Sequence, residues 1–291
     1  MSAPHDPVLV RETLAFLAPR AGLYLDATLG DGGHAEALLS AGPDVRLLAS
    51  DRDPASLAFA RDRLGRFGAR VTFAHGTFRD LPAAHAALGE RLAGALFDFG
   101  LSSRQIDDPA RGMSYRSQGL AEKLANVTEE ELADVLRTHG DLSHSLALAR
   151  AILAEARAGR LTTTTALAEL SGRVLRDSRP GAVAPVFQAL RVWVNDEMAD
   201  LEAALTWLPG VMDDGGVAVT LAYHSGEDRR VKQALRGPVR AVSRRLPPAA
   251  EGMPGPWEEL TRRVVTPSEE EIRRNPRARS ARLRAFRRKP R

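Results

Sequence analysis

The stretch Tyr24-Leu-Asp-Ala-Thr-Leu-Gly-Asp-Gly-Gly-His34 decides how the chain is read. It sets Gly30, Gly32 and Gly33 between an apolar strand-like run and a helical one, and Asp51 closes the next strand-like run 21 residues after Gly30. Glycines permit the positive φ of a tight turn and let a ligand approach the backbone, while a carboxylate at the second strand end can accept hydrogen bonds from ribose hydroxyls. Gly30, Gly32 and Ala35 also satisfy the dinucleotide pattern G-x-G-x-x-A, so spacing alone leaves the cofactor open between a dinucleotide and another nucleoside. Charge favours the second. Asp26 at the first strand end and Asp31 in the loop are poor neighbours for a pyrophosphate but suit the ammonium and sulfonium of S-adenosylmethionine. Asp26 has a rival role, holding the turn or capping the helix.

Working outward, Leu23 to Ala27, Ala35 to Leu39, Val45 to Ala49, Pro54 to Leu64, Val71 to Ala74 and Ala93 to Phe99 alternate strand and helix signals. This βαβαβ rhythm predicts an α/β, doubly wound parallel sheet, with ligands bound beyond the carboxyl ends of its strands. After about Ile106 the rhythm stops. Thr128 to Glu131 form a capping box opening Leu132 to Arg137, and Leu146 to Ala156 and Leu167 to Leu175 follow with helical spacing. An all-helical insert is therefore expected over 107–185, ended by the Pro/Gly-containing segment Arg179 to Pro185. Phe187, Leu190, Val194, Met198, Leu201, Leu205 and Leu208 then predict one long helix. A turn at Asp213 to Gly216 leads to a buried-type strand, Val217 to Tyr223. Val239 to Val242 and Leu260 to Thr266 can supply two more. The expected organisation is a sheet domain over 1–106 and 186–272, interrupted by the insert and followed by a tail over 273–291.

Composition bounds the function. The chain has 291 residues, 44% hydrophobic and 27% charged, enough apolar material for a large core. No uncharged apolar run is long enough for a membrane span, and no signal-like N-terminus is visible. Absence of cysteine excludes disulfides, thiolate metal sites and a Cys nucleophile, and fits a cytoplasmic location. Ten basic residues and no acidic ones lie between Arg273 and Arg291, which leaves the rest of the chain net acidic. A cationic end on an acidic body suits contact with a polyphosphate at one edge, or else a solubilising tail.

With Asp98-Phe-Gly-Leu-Ser-Ser-Arg-Gln105 added to the glycine loop, the chain resembles the MraW/RsmH family of bacterial methyltransferases acting on small-subunit ribosomal RNA. Further matching segments are His5 to Leu9, Asp51-Arg-Asp-Pro54, Asp107 to Gly112, Phe187-Gln-Ala-Leu-Arg-Val-Trp-Val-Asn195, Tyr223-His-Ser-Gly-Glu-Asp-Arg229 and Asn275 to Ser280. The resemblance implies a class I, Rossmann-like methyltransferase fold with a helical domain inserted after the fourth strand. It implies S-adenosylmethionine-dependent methylation of N4 of a cytidine in the decoding region of 16S ribosomal RNA, on the RNA or the assembled subunit, without a metal. Carried over by position, cofactor contacts fall on Gly32, Gly33, His34, Asp51, Phe78, Asp98 and Gln105. Asp98 is also the candidate acceptor for the amine proton. Because Asn275 to Ser280 belongs to the signature, part of the basic end has a second reading, packing on the body.

On the predicted long helix, Gln188, Arg191 and Asn195 fall within about 60° of one another and form a polar stripe. Arg191, Asn195, His224 and Ser225 are the candidate substrate-binding residues; for His224 a buried structural hydrogen bond is the alternative. Three segments depart from the family pattern. Gln118-Gly-Leu-Ala-Glu-Lys-Leu-Ala125 stands where the family has D-G-P-L-D-M-R-M, Ala184-Pro-Val186 replaces an R-T-like approach, and Gly226 replaces a Leu. These departures keep a rival reading alive, a catalytically weakened paralogue acting as an RNA-binding assembly factor. The G-x-G-x-x-A match keeps a second, an NAD-dependent dehydrogenase.

Overall fold

A computed structural model of the chain describes residues 7–99, 118–177, 182–236 and 255–290, which fall into two compact units. In the first, a helix α1 (Val10–Leu17) precedes β1 (Gly22–Asp26), α2 (Gly33–Ser40), β2 (Val45–Asp51), α3 (Pro54–Leu64), β3 (Val71–His75), α4 (Leu81–Ala86) and β4 (Leu92–Asp98). The run Leu23 to Leu25 shows why this sequence makes a buried strand. Leu23 and Leu25 enter the apolar cluster on one face of the sheet and Tyr24 the cluster on the other, as side-chain alternation requires. Tyr24 is buried, and its hydroxyl accepts a hydrogen bond from the Arg20 backbone N–H at 2.9 Å, so its polar atom is satisfied.

The second unit takes the described residues from 118 to 199, with 224–226. It contains α5 (Gln118–Asn126), α6 (Glu129–Gly140), α7 (Ser145–Arg157), α8 (Thr164–Leu175) and α9 (Ala184–Val194), built around a cluster that includes Leu132, Leu136, Leu148, Ile152 and Leu190. The predicted capping box is present: Thr128 Oγ1 accepts from the Glu131 N–H at 3.2 Å, and Glu131 Oε2 accepts from the Thr128 N–H at 2.9 Å. The helical unit runs on to 199, past the boundary expected at 185.

The predicted long helix is two helices, α9 and α10 (Glu197–Val211). Asp196 sits between them at φ 51°, and Lys123 Nζ donates to the Trp193 carbonyl at 2.7 Å, meeting one of the open carbonyls at the end of α9. The apolar spacing continues across this break through Val194 and Met198, so periodicity alone did not reveal it.

From residue 200 the chain returns to the first unit with β5 (Met212–Ala222), then α11 (Ser225–Val231), β6 (Trp257–Glu259), α12 (Glu269–Arg274) and β7 (Arg282–Arg288). The strand order is β3-β2-β1-β4-β5-β7-β6. Strands β1 to β5 are parallel, whereas β7 runs antiparallel to β5 and β6 antiparallel to β7. The strands of the βαβαβ run are parallel as expected, and the sheet as a whole is mixed because β7 and β6 add antiparallel strands at one side. The strand expected at Leu260 to Thr266 is displaced to β6, with an isolated bridge from Val265 to Leu283. Val239 to Val242 lie outside the described residues.

The expected tail is the second correction. Leu283, Ala285 and Phe286 are fully buried, on both faces of the sheet. Arg284 reaches the core because Asp228 and Glu259 pair with it, the latter at 3.1 Å. Arg288 is buried against the carbonyls of Pro209, Pro256 and Lys289. Buried cations need such partners. The density of arginines hid a core strand.

None of the described helices is long and apolar enough to cross a membrane. Replacing Phe286 by Ala is expected to destabilise the protein by about 3–5 kcal/mol in chemical denaturation, against less than about 1 kcal/mol for Arg287→Ala, whose ion pair with Glu258 is half exposed. Equal small effects would mean that β7 is not part of the folded sheet.

Candidate functional site

Strand register places the acidic groups before any side chain is considered. Asp26 pairs with Ala49 of β2 and Leu96 of β4, so Asp51 and Asp98, each two residues farther along, lie at the same carboxyl edge. Between Asp26 and α2 the glycine loop is fastened to both neighbouring strands, the Ala27 N–H bonding the Leu96 carbonyl and the Leu29 N–H the Ser50 carbonyl, both at 2.9 Å. Gly32 is the residue before α2 and has φ 78°, and a Cβ on Gly33 would come within 2.8 Å of the Pro7 ring. No side chain caps α2, so its first N–H groups are left to face the loop.

Asp51 organises this loop. Its Oδ2 accepts from the Gly30 N–H at 2.7 Å and its Oδ1 from the Asp53 N–H at 2.8 Å. Burial raises its pKa above the usual carboxylate range, and the two backbone bonds oppose the shift. Each oxygen keeps a second lone pair, so the group can still receive ribose hydroxyls.

Asp26 is almost wholly buried and accepts from the Thr28 N–H at 3.1 Å; Thr28 Oγ1 in turn accepts from the Asp98 N–H at 2.6 Å. Turn-holding and ligand-facing roles thus coexist at Asp26. Burial pushes both Asp26 and Asp98 up to about 7. His34, at the start of α2, donates from Nε2 to the Val8 carbonyl at 2.9 Å, which fixes the tautomer and leaves Nδ1 3.6 Å from Asp98 Oδ2. Burial lowers the His34 pKa, while the bond to Val8 opposes the shift. The ring is thus less readily charged than an exposed imidazole, and when it is charged it favours the ionised form of Asp26.

Tyr223, just beyond β5, hydrogen-bonds to Asp98 through its hydroxyl, and its own N–H is held by Glu227 Oε2 at 3.0 Å. Asp98 Oδ1 is buried with no hydrogen-bond partner. An orphaned carboxylate oxygen is costly unless something meets it. Three carboxylates at one sheet edge suit a cationic nucleoside and repel a pyrophosphate. The residues present therefore fit S-adenosylmethionine.

Phe78 follows β3 in a short 3-10 turn capped by Thr77. Its half-buried ring packs edge-on against Phe97 at 5.9 Å and Phe99 at 6.2 Å between centroids. Gly32, Gly33, His34, Asp51, Phe78 and Asp98 all belong to the first unit. Gln105 lies outside the described residues.

The substrate candidates belong to the second unit. Arg191 pairs with Glu197 at 3.0 Å, and Asn195 Nδ2 donates to the same carboxylate at 3.2 Å, so the predicted stripe converges on one acidic group. Arg191 Nε is buried without a hydrogen-bond partner. Ser225 Oγ lies 2.7 Å from both carboxylate oxygens of Asp141, the left-handed residue that ends α6. A Cβ on Gly226 would stand 2.9 Å from the Thr138 carbonyl, so the Gly found where the family has Leu leaves room for the end of α6. His224 lies beside these groups in sequence and is half buried.

Sequence reasoning passed over Tyr223 and Glu271. Tyr223 stood at the head of a quoted segment and had no assigned role. Glu271 accepts from the Leu9 N–H at 2.7 Å across 262 residues and acts electrostatically on His34 and Tyr223. No sequence signal joins such distant positions.

The MraW methylase family matches residues 2–289 of this chain. A ribosomal RNA small subunit methyltransferase H from Sorangium cellulosum is 42% identical, covering 98% of this chain and 90% of that protein. Relatives of the same name from Bradyrhizobium diazoefficiens and Thermomicrobium roseum are also 42% identical, covering 98% of this chain and 91% and 94% of their own lengths. The glycine loop, mixed seven-stranded sheet and edge carboxylates are those of a Rossmann-like class I methyltransferase using S-adenosylmethionine, and the chain belongs to the MraW methylase family.

Proposed function

We propose that this chain methylates N4 of a cytidine in the decoding region of 16S ribosomal RNA. Ribosomal RNA of the small subunit as substrate follows from relatives 42% identical along nearly the whole chain and named for that activity. The observation carrying the finer reading is the free, buried Asp98 Oδ1 at the carboxyl edge of β4. An exocyclic amine is a weak nucleophile because its lone pair is conjugated with the ring. A hydrogen-bond acceptor on its N–H favours rehybridisation and can take the proton released on transfer.

When bound, S-adenosylmethionine supplies an electrophilic methyl group. The chain's own residues do the rest. Asp51 and the glycine loop hold the nucleoside, Phe78 packs on its base, and Asp26 and Asp98 balance positive charge. Tyr223 donates to Asp98 and so favours its ionised form, the state that can receive a proton. His34 is held by its Nε2 bond to the Val8 carbonyl with Nδ1 3.6 Å from Asp98 Oδ2, which fixes the ring beside that carboxylate. A target base in folded RNA must leave its stack to be reached. Arg191, Asn195, His224 and Ser225 are the groups assigned to it, in the cytoplasm where ribosomes assemble.

Small subunits lacking the modification, incubated with the protein and labelled methyl donor, are expected to gain label that maps to N4 of one cytidine. Label on another base, or none, would contradict the reading, and none would favour an assembly factor. Asp98→Asn is expected to lower kcat by about 10²- to 10⁴-fold. Asp51→Ala is expected to weaken S-adenosylhomocysteine binding by roughly 10- to 100-fold in calorimetry.

A carboxyl raised to about 7 is protonated and inactive as an acceptor below that value, so kcat/KM should rise with pH through about 7. Tyr223→Phe removes a bond that favours the carboxylate and should move this midpoint to higher pH. An unmoved midpoint would exclude Asp98 as the ionising group.

A further inference from the structure

The basic C-terminal stretch divides into two chemically different parts. Arg284 and Arg288 are consumed inside the sheet, as described above. Arg273 and Arg274 at the end of α12, Arg279 in the 3-10 turn Pro276–Ser280, and Arg282 at the start of β7 are not. Arg273, Arg274 and Arg279 are exposed and Arg282 is half exposed, and none of the four has an ion-pair partner among the described residues. Other surface arginines do find acids, such as Arg46 with Glu90, Arg66 with Glu36 and Arg150 with Glu129. In a body with more acids than bases, four neighbouring unpaired cations call for another explanation.

Their place in the fold supplies one. Arg282 pairs with Ala222 across the antiparallel β5–β7 ladder, which puts it at the same carboxyl edge as Asp98, itself paired with Leu221. Ala278 and Ala281 are fully buried in the cluster that also contains Leu29 of the glycine loop and Val8 and Leu9, so the turn carrying Arg279 is anchored to the sheet unit. Glu271, one turn before Arg274 in α12, bonds the Leu9 N–H and acts on His34 and Tyr223. The four cations thus border the donor site on a segment packed against the sheet unit. The acids closest in sequence, Glu269 and Glu270, lie at the opposite end of α12, with Glu271 engaged by Leu9.

We propose that Arg273, Arg274, Arg279 and Arg282 form a phosphate-binding strip that holds the RNA backbone beside the donor site. This deepens the ribosomal RNA reading above and rests on it. Guanidinium groups bind phosphate oxygens in a two-pronged geometry, and their net contribution is salt-dependent because bound counterions are released from the RNA. The acidic groups at the cofactor edge repel the same backbone, so the strip lets phosphates track the rim while only a base enters.

The test is filter binding of a small-subunit ribosomal RNA transcript to the full-length protein at several KCl concentrations. The quadruple variant R273Q/R274Q/R279Q/R282Q is expected to bind at least tenfold more weakly at physiological salt, and to lower the slope of log affinity against log salt by roughly 3. The matching four-Lys variant should keep most of the slope. S-adenosylhomocysteine affinity should change less than twofold in both. If the quadruple Gln variant loses that affinity, the four single variants decide, each expected to lower the slope by about 0.7 to 0.9.

A wild-type slope in the Gln variants overturns the strip while leaving the ribosomal RNA reading in place. Failure of the wild-type protein both to bind RNA and to methylate subunits overturns that reading and the strip with it. Unchanged RNA binding with lost methylation of assembled subunits would assign the arginines to a ribosomal protein, and also overturns the proposal.

Discussion

Three carboxylates, Asp26, Asp51 and Asp98, end three adjacent parallel strands and are brought to one edge by strand register. Parallel pairing leaves no freedom here, because a one-residue slip would exchange the buried and ligand-facing sides of every residue in the strand. Burial then makes their charge expensive, and the same burial disfavours a charge on the neighbouring His34 imidazole. The apolar sheet that forces these groups together is thus the source of the field that favours a cationic ligand. Stability and selectivity share one cause, and Asp51 shows it most directly by fastening the glycine loop with the carboxylate offered to ribose.

Carboxylates raised by burial couple binding to protonation. In the free protein Asp26 and Asp98 prefer the proton more than an exposed aspartate does, so the folded state gains relative stability at low pH and loses it as pH rises through about 7. A cation beside them reverses the preference. The Tyr223 hydroxyl acts in the same direction on Asp98.

Much of the sheet unit was legible in the sequence because its signals are local. The runs at Leu23, Val45, Val71 and Ala93 are apolar and bounded by turn residues, and Gly30 to Gly33 with Asp51 mark the ligand edge. What was hidden depended on partners distant in sequence. Arg282 to Arg288 resembles a solvated tail until Asp228 and Glu259 are seen to neutralise Arg284. The break at Asp196 escaped because Lys123, 73 residues earlier, meets the end of α9. Charge is usually a surface marker, and the first error came from applying that rule where pairing groups override it, whereas the second came from apolar spacing that continues across the break through Val194 and Met198. On the substrate side, Arg191 and Asn195 were read as a stripe, whereas Glu197 gathers them into one cluster.

The central claim is that buried carboxylates at the sheet edge select a positively charged methyl donor. Calorimetric titration at pH 7 in buffers of different ionisation enthalpy measures the protons exchanged on binding. S-adenosylmethionine, whose sulfonium draws Asp26 and Asp98 into their ionised forms, is expected to release more protons than S-adenosylhomocysteine, which lacks that charge. Equal proton release by the two ligands, or net uptake with the sulfonium compound, would contradict the account.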